Sequence, residues 1–197
     1  MLLEHISYYK EIVIQNHEYK QSSSSFKPNG FWYSVNNCWK NFLKNEMGVT
    51  EKIYKHKFNL QAKFYTDLNN LNKNKILKLN TKFKFVNFVL KYYSIHNTNK
   101  KKSGDCYLLI NWKKVSQDFG GIEIMPFREE FSKNYCQDKY EEISHGKLID
   151  NIQKYILNKI NVIEKKKLNI SKDIIFYSSW DVPSGCIWNT DILVQLF

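Results

Sequence analysis

Residues Lys27 to Ser34, which read KPNGFWYS, join a turn signal directly to three consecutive aromatic residues. Pro and Gly on either side of Asn are typical of a turn, and adjacent aromatic residues favour a β-strand after it. Either Asn36 or Asn37 can then cap a helix. The apolar face of that helix carries Trp39, Phe42 and Leu43. The stretch therefore predicts a turn, a strand and a helix in close succession.

Two later segments share the same combination of Gly, Pro and aromatic residues. They are FGGIEIMPF at 119–127 and WDVPSGCIW at 180–188. Together with 27–34 they hold four of the seven glycines and all three prolines of the chain. Glycine lets a backbone approach a ligand closely, and an aromatic side chain beside such a turn can form a stacking wall. The three segments are therefore candidates for a functional site, with packing of their Trp residues in the core as the alternative.

Hydrophobic spacing predicts the remaining elements and the fold class. Strands are predicted at 2–9, 57–66, 76–79, 122–125 and 174–177, and helices after Asn80 or Thr81, at 112–115, at 147–163 and at the end of the chain. Residues 97–105 predict a flexible insertion loop within a single domain that spans 1–197. Because strict βαβ alternation is missing, we expect an α+β fold with small, mostly antiparallel sheets flanked by helices.

The positive charge of the chain comes almost entirely from lysine. The net charge is +11, and 29 of the 30 basic residues are Lys, with Arg128 as the only Arg. Proteins that read nucleic-acid bases usually rely on the bidentate guanidinium group of Arg, so base-specific recognition is not indicated. Lysine can give a salt-sensitive attraction to polyanions. A solvated Lys-rich surface, with the excess set by genome composition, is the alternative.

The spacing of the cysteines and the distribution of apolar residues indicate the cellular location of the protein and whether it has a metal site. The four cysteines, Cys38, Cys106, Cys136 and Cys186, form no CxxC pair, and no HExxH motif is present. We therefore expect no metal site. The N-terminal residues lack the long apolar run of a secretory signal, and no stretch is apolar enough to span a membrane. The expected location is the cytoplasm, or the host cytoplasm for a viral protein, without a membrane partner.

The order of these segments resembles that of a known group of proteins. A first strand with His5, then KPNGFWYS, GGIEIMPF and SSWDVPSGCIWN, resembles a layout of uncharacterised phage, viral and bacterial proteins. The order of elements is also similar to small ADP-ribosyltransferase-like folds. The resemblance implies a split sheet that binds NAD as a co-substrate in the cleft between its halves. It also implies transfer of ADP-ribose to a protein or nucleic acid acceptor.

The same resemblance implies roles for eight residues. His5 would contact the ribose, and Glu123 would be the catalytic acid, with Asp181 as its substitute. The implied NAD-binding residues are Tyr33, Ser34, Trp32, Lys27 and Ser184. Loss of nicotinamide leaves positive charge on the ribose, which a fixed carboxylate can stabilise. This hypothesis predicts that His5, Tyr33, Ser34 and Glu123 converge around one pocket.

Several of these residues also have a plain structural interpretation. Glu123 lies in the alternating strand GIEIM, opposite Ile122 and Ile124, and there it either faces solvent or lines a cleft. Asp181 suits an Asx turn, and His5 suits a hydrogen-bonded structural histidine. The ammonium group of Lys27 can point into a site or into water.

Two further classes of function remain open from the sequence. The first is a non-catalytic basic module that binds nucleic acid or an acidic partner. Its expected surface comprises Lys73, Lys75, Lys78, Lys100–Lys102 and Lys165–Lys167. The second is an interaction protein whose role is an interface alone, for which an exposed apolar patch is the expected feature.

Overall fold

A seven-stranded mixed sheet organises the part of the chain that the computed structural model describes. The described residues are 2–14, 19–35, 38–45, 47–97, 106–124, 154–164 and 182–197. Several sequence expectations therefore lie outside them, namely the loop after residue 97, the first part of the helix at 147–163, the strand at 174–177 and the role of Asp181.

The strands form one large sheet and one small sheet. They are β1 (Leu2–Ser7), β2 (Phe31–Val35), β3 (Tyr54–Asn59), β4 (Tyr65–Thr66), β5 (Asn72–Leu79), β6 (Tyr93–Asn97), β7 (Cys106–Ile110), β8 (Phe119–Ile124) and β9 (Ser184–Ile187). The large sheet has the order β3-β1-β2-β9-β8-β5-β4, and β6 pairs with β7 in the small sheet. Only the β8–β5 and β5–β4 pairings of the large sheet are parallel. The sheets are thus mostly antiparallel, as predicted.

Helices cover the sheets and complete the expected α+β fold. They are α1 (Cys38–Asn45), α2 (Lys82–Tyr92), α3 (Trp112–Asp118), a helical stretch α4 at 154–163, and α5 (Thr190–Val194). Thr81 caps α2, because its hydroxyl accepts a hydrogen bond from the Lys84 amide at 3.2 Å. No helix in the described ranges is long and apolar enough to cross a membrane.

Each face of the large sheet packs against its own apolar cluster. The α5 face carries Leu3, Phe31, Tyr33, Ile76 and Ile187, which pack with Ile192 and Leu193 of α5. The α2 face carries Leu77, Leu79, Ile122, Ile124 and Cys186, which pack with residues of α2, α3 and α4. Because successive side chains of a strand point to opposite faces, neighbours in sequence belong to different clusters.

Several element boundaries differ from those predicted, and two of the differences bear on the packing of the sheet. The strand expected at 57–66 ends at Asn59, and a 3₁₀ turn at Ala62–Phe64 follows it. Leu60 and Phe64 are still buried, whereas Ala62 is exposed, so alternation alone does not distinguish a strand from this turn. β8 begins at Phe119 rather than at residue 122, so Gly120 and Gly121 lie inside this strand. A Cβ atom on Gly121 would lie 2.9 Å from the carbonyl oxygen of Cys186, so glycine permits close pairing with β9.

Candidate functional site

A row of four residues crosses the centre of the large sheet on its α5 face. Tyr33 of β2 pairs with Gly185 of β9, Gly185 pairs with Glu123 of β8, and Glu123 pairs with Lys78 of β5. Gly185 has no side chain, so the phenol of Tyr33 reaches across β9 to Glu123. The Tyr33 hydroxyl donates a hydrogen bond to Glu123 Oε2 at 2.9 Å. Four strands that are distant in sequence thereby build one cluster.

The carboxylate of Glu123 is the centre of this cluster. Its side chain is 0% exposed. Tyr33 and Tyr65 both donate hydrogen bonds to Oε2, while the ammonium group of Lys78 lies 3.4 Å from Oε1. Oε1 accepts no hydrogen bond from any residue that the structure describes. One oxygen is thus fixed by two phenols, and the other is held only by the charge of Lys78.

Lys78 and Tyr65 stand between Glu123 and solvent. The side chain of Lys78 is 31% exposed, and Tyr65 is partly exposed. The Lys78 ammonium group also lies 4.4 Å from the centre of the Tyr65 ring, a cation–π distance. The Lys78 side chain is long and partly exposed, so it can change conformation without disturbing the strands.

The two phenols remain hydrogen-bond donors over a wide pH range. Burial raises the pKa of Tyr33 well above its ordinary value, and the nearby charge of Glu123 raises it further. Burial, followed by the nearby charge of Glu123, also raises the pKa of Tyr65. Both groups therefore stay protonated at pH 7 and hold the carboxylate of Glu123 in one position.

Replacement of Tyr65 by Phe removes one of these two hydrogen bonds. We expect Tyr65→Phe to lower the free energy of unfolding by about 2 kcal/mol at pH 7, the usual size for a hydrogen bond to a charged group. The folded pKa of Tyr65 is raised above the unfolded value near 10, so its stabilisation is complete below pH 10 and declines above it. Urea unfolding at pH 7, 10 and 11 measures both effects. A difference between the two proteins that does not shrink above pH 10 would contradict this account.

His5 shares the α5 face with Tyr33 and Glu123 but makes different contacts. Its ring stacks on Phe31 with 4.2 Å between centroids, and its Nδ1 donates to the carbonyl oxygen of Trp32 at 2.6 Å. Burial lowers the pKa of His5, the hydrogen bond to Trp32 raises it, and the neighbouring His56 lowers it. The net lowering keeps the imidazole neutral at pH 7, where it ties β1 to β2.

The remaining predicted NAD-binding residues lie on the α2 face. Ser34 and Ser184 are paired across β2 and β9, and both are buried. Lys27, Trp32 and Ser184 line one cavity of about 350 Å³. Trp39, Phe42 and Leu43 of α1 line the same cavity, which confirms that they share one face of that helix.

The structure therefore divides the predicted site between two faces of one sheet. His5, Tyr33 and Glu123 lie on the α5 face, whereas Lys27, Trp32, Ser34 and Ser184 lie on the α2 face. Ser34 cannot join the pocket expected for it, because it follows Tyr33 in β2 and points the opposite way. Asp181 is outside the described residues.

Two members of the Glu123 cluster, Tyr65 and Lys78, were not predicted as residues of the NAD site, and Lys78 was expected only on a basic binding surface. Only the parallel pairing of β5 with β8 and with β4 brings them to Glu123. Within the described ranges, no group of three or more His, Cys, Asp or Glu side chains could hold a metal ion. Comparison with family models, curated proteins and solved structures gives no match.

Proposed function

We propose that the protein is an NAD-dependent ADP-ribosyltransferase-like enzyme that modifies a protein or nucleic acid acceptor. The observation that supports it is the 2.9 Å hydrogen bond from Tyr33 to Glu123. The two residues are 90 positions apart in the sequence, and the resemblance to this enzyme class implies both of them as site residues. His5 lies on the same face as these two residues, whereas Ser34, the fourth residue expected in that pocket, points to the opposite face.

The carboxylate of Glu123 fits the chemistry that the reaction needs. NAD supplies an ADP-ribosyl group whose ribose gains positive charge as nicotinamide leaves. A negative charge that is fixed before the reaction stabilises such a centre more than a mobile one. Tyr33 and Tyr65 fix Oε2, and Oε1 is the buried oxygen to which no described residue donates a hydrogen bond. Oε1 is therefore the atom of this chain that would face the ribose.

Lys78 and Tyr65 have supporting roles in this proposal. In the absence of a substrate, Lys78 neutralises Oε1 from 3.4 Å. A cationic substrate group can replace the ammonium group there, because the Lys78 side chain is partly exposed and can turn into solvent. Tyr65 keeps Oε2 in place during this exchange, and Glu123 then orients the acceptor nucleophile.

The proposal also includes a cytoplasmic location and an acceptor that is a macromolecule. Cys38 and Cys186 both have buried side chains. Burial raises the pKa of Cys186 well above its ordinary value, so this thiol stays protonated and unreactive.

A thermal-shift titration with NAD tests the proposed function. A ligand that binds only the folded state stabilises it by about 2.7 kcal/mol at 100 times its Kd, which raises the Tm of a chain of this size by about 5–10 °C. Nicotinamide release, measured by chromatography with and without a cell-extract acceptor, is expected alongside the shift. ADP-ribose serves as the comparator that lacks the leaving group. If NAD causes no Tm shift and no nicotinamide is released, the proposal is overturned.

A basic binding module without catalysis is the second candidate, favoured by the net charge of +11. Among the lysines expected to form its surface, Lys73 is exposed, whereas Lys78 is ion-paired with Glu123. Lys100–Lys102 and Lys165–Lys167 lie outside the described residues. A Tm shift with a short oligonucleotide that disappears with added salt, together with no shift with NAD, would favour this candidate.

A further inference from the structure

The cavity on the α2 face is separated from Glu123 by the sheet itself. Ser184, which lines the cavity, pairs with Ile124, and both side chains point to the α2 face. Gly185 and Glu123, the next pair in the same two strands, belong to the α5 face. A molecule in this cavity therefore cannot touch Glu123, and the cavity needs a role of its own.

The cavity has the size and composition of a small-molecule site. Its volume of about 350 Å³ falls within the range of about 300–1,000 Å³ that is usual for such sites. Two indole rings form part of its wall, with 6.0 Å between the centroids of Trp32 and Trp39 and 54° between their planes. The tilt lets a flat ring lie against one indole while the edge of the other contacts it.

The ammonium group of a lysine lies at the same place. The ammonium group of Lys27 is 5.8 Å from the centre of the Trp32 ring. Among the described residues that line the cavity, Lys27 and Ser184 are polar and the others are apolar. An aromatic wall beside a cation is complementary to a ligand that combines a flat ring with a negative group.

We propose that this cavity is a second ligand site, which binds an aromatic ring bearing a phosphate, the chemistry of a mononucleotide. The base would stack on Trp32 or Trp39, and the phosphate would pair with Lys27. The site stands independently of the proposed transferase function, because it uses the opposite face of the sheet.

Isothermal titration calorimetry with adenosine monophosphate, adenosine and inorganic phosphate tests this site on the full chain. We expect saturable binding of adenosine monophosphate, weaker binding of adenosine and none of phosphate. Phosphate that binds as well as the nucleotide would show a surface charge effect and overturn the proposal. The absence of saturable nucleotide binding at millimolar concentration would also overturn it.

Variants locate the binding. Lys27→Met is expected to weaken nucleotide binding by about tenfold, the loss of one charge-assisted hydrogen bond. The matched control is Lys52→Met, since the Lys52 ammonium group lies 5.2 Å from the Tyr54 ring, in a similar cation–π contact outside the cavity. Trp39→Leu should weaken binding at least about fivefold, and Trp39→Phe should retain it. Equal losses in the two lysine variants would overturn the assignment to this cavity.

Glu123→Gln separates this inference from the proposed function. The nucleotide affinity of this variant is expected to equal that of the unmodified protein, whatever its transferase activity. Loss of nucleotide binding in Glu123→Gln, with the Tm unchanged, would place the nucleotide on the α5 face and overturn the proposal.

Discussion

Gly185→Ala is expected to lower the free energy of unfolding by about 3 kcal/mol, because it forces Tyr33 away from Glu123. A Cβ atom on residue 185 would overlap both Cζ and the hydroxyl oxygen of Tyr33. The Tyr33 ring is buried between Phe58 and β9 and cannot move aside freely. The substitution therefore costs both the strain of overpacking and the hydrogen bond to a buried carboxylate.

Urea unfolding of four proteins measures this effect. In a Tyr33→Leu background the added methyl group no longer meets a phenol, so Gly185→Ala should cost less than about 1 kcal/mol there. Gly48→Ala is the control for an added methyl group that overlaps no other atom and only strains the backbone. Gly48 has φ +61°, and a methyl group added there would meet nothing within 4 Å, so only the backbone cost of about 1 kcal/mol is expected. An equal cost of Gly185→Ala in both Tyr33 backgrounds would contradict the role given to Gly185.

Glu123→Gln is expected to reduce nicotinamide release by about 100- to 1,000-fold, the usual effect of removing one preorganised electrostatic group from an active site. The amide has the shape of the carboxylate, and its oxygen can still accept hydrogen bonds from Tyr33 and Tyr65. The ammonium group of Lys78 loses its counter-ion but can extend into solvent. The fold should therefore survive, while the negative charge needed beside the ribose is absent.

Glu4→Gln is the matched control for this prediction. Glu4 is also a buried carboxylate of the large sheet, 4% exposed, with Lys55 at 3.2 Å. Glu4 pairs with Ser34 and so points to the α2 face, away from Glu123. In the Glu4→Gln variant, the rate of nicotinamide release should stay within about twofold of the rate of the unmodified protein. Similar losses in both variants, or full activity of Glu123→Gln, would exclude Glu123 as the catalytic acid.

The position of Glu123 was partly predictable from the sequence. The alternation in GIEIM predicted that Ile122 and Ile124 share one face and that Glu123 has the other, which the two apolar clusters confirm. It left open whether Glu123 faces solvent or a cleft. The structure shows it buried, because Tyr33 crosses over Gly185 to cover it.

Strand pairing was the information that the sequence lacked. Tyr65 and Lys78 reach Glu123 only through the parallel register of β4, β5 and β8, which depends on long-range contacts rather than on local pattern. The division of Tyr33 and Ser34 between two faces follows directly from the strand predicted at this position. The resemblance implied that Tyr33 and Ser34 line one pocket, which the alternation of side chains along a strand does not allow.

The central position of β9 in the large sheet affects the folding rate and the tendency of the unfolded chain to aggregate. The pairings β2–β9 and β9–β8 are the links that join β3-β1-β2 to β8-β5-β4 within the large sheet. Residues 31–35 must wait for residues 184–187 before they gain this neighbour, and contacts over such sequence distances slow folding. Until then β2 and β8 each present an open edge to other chains. Speed of β9 docking, rather than final stability, would then determine how much of the newly made protein escapes aggregation.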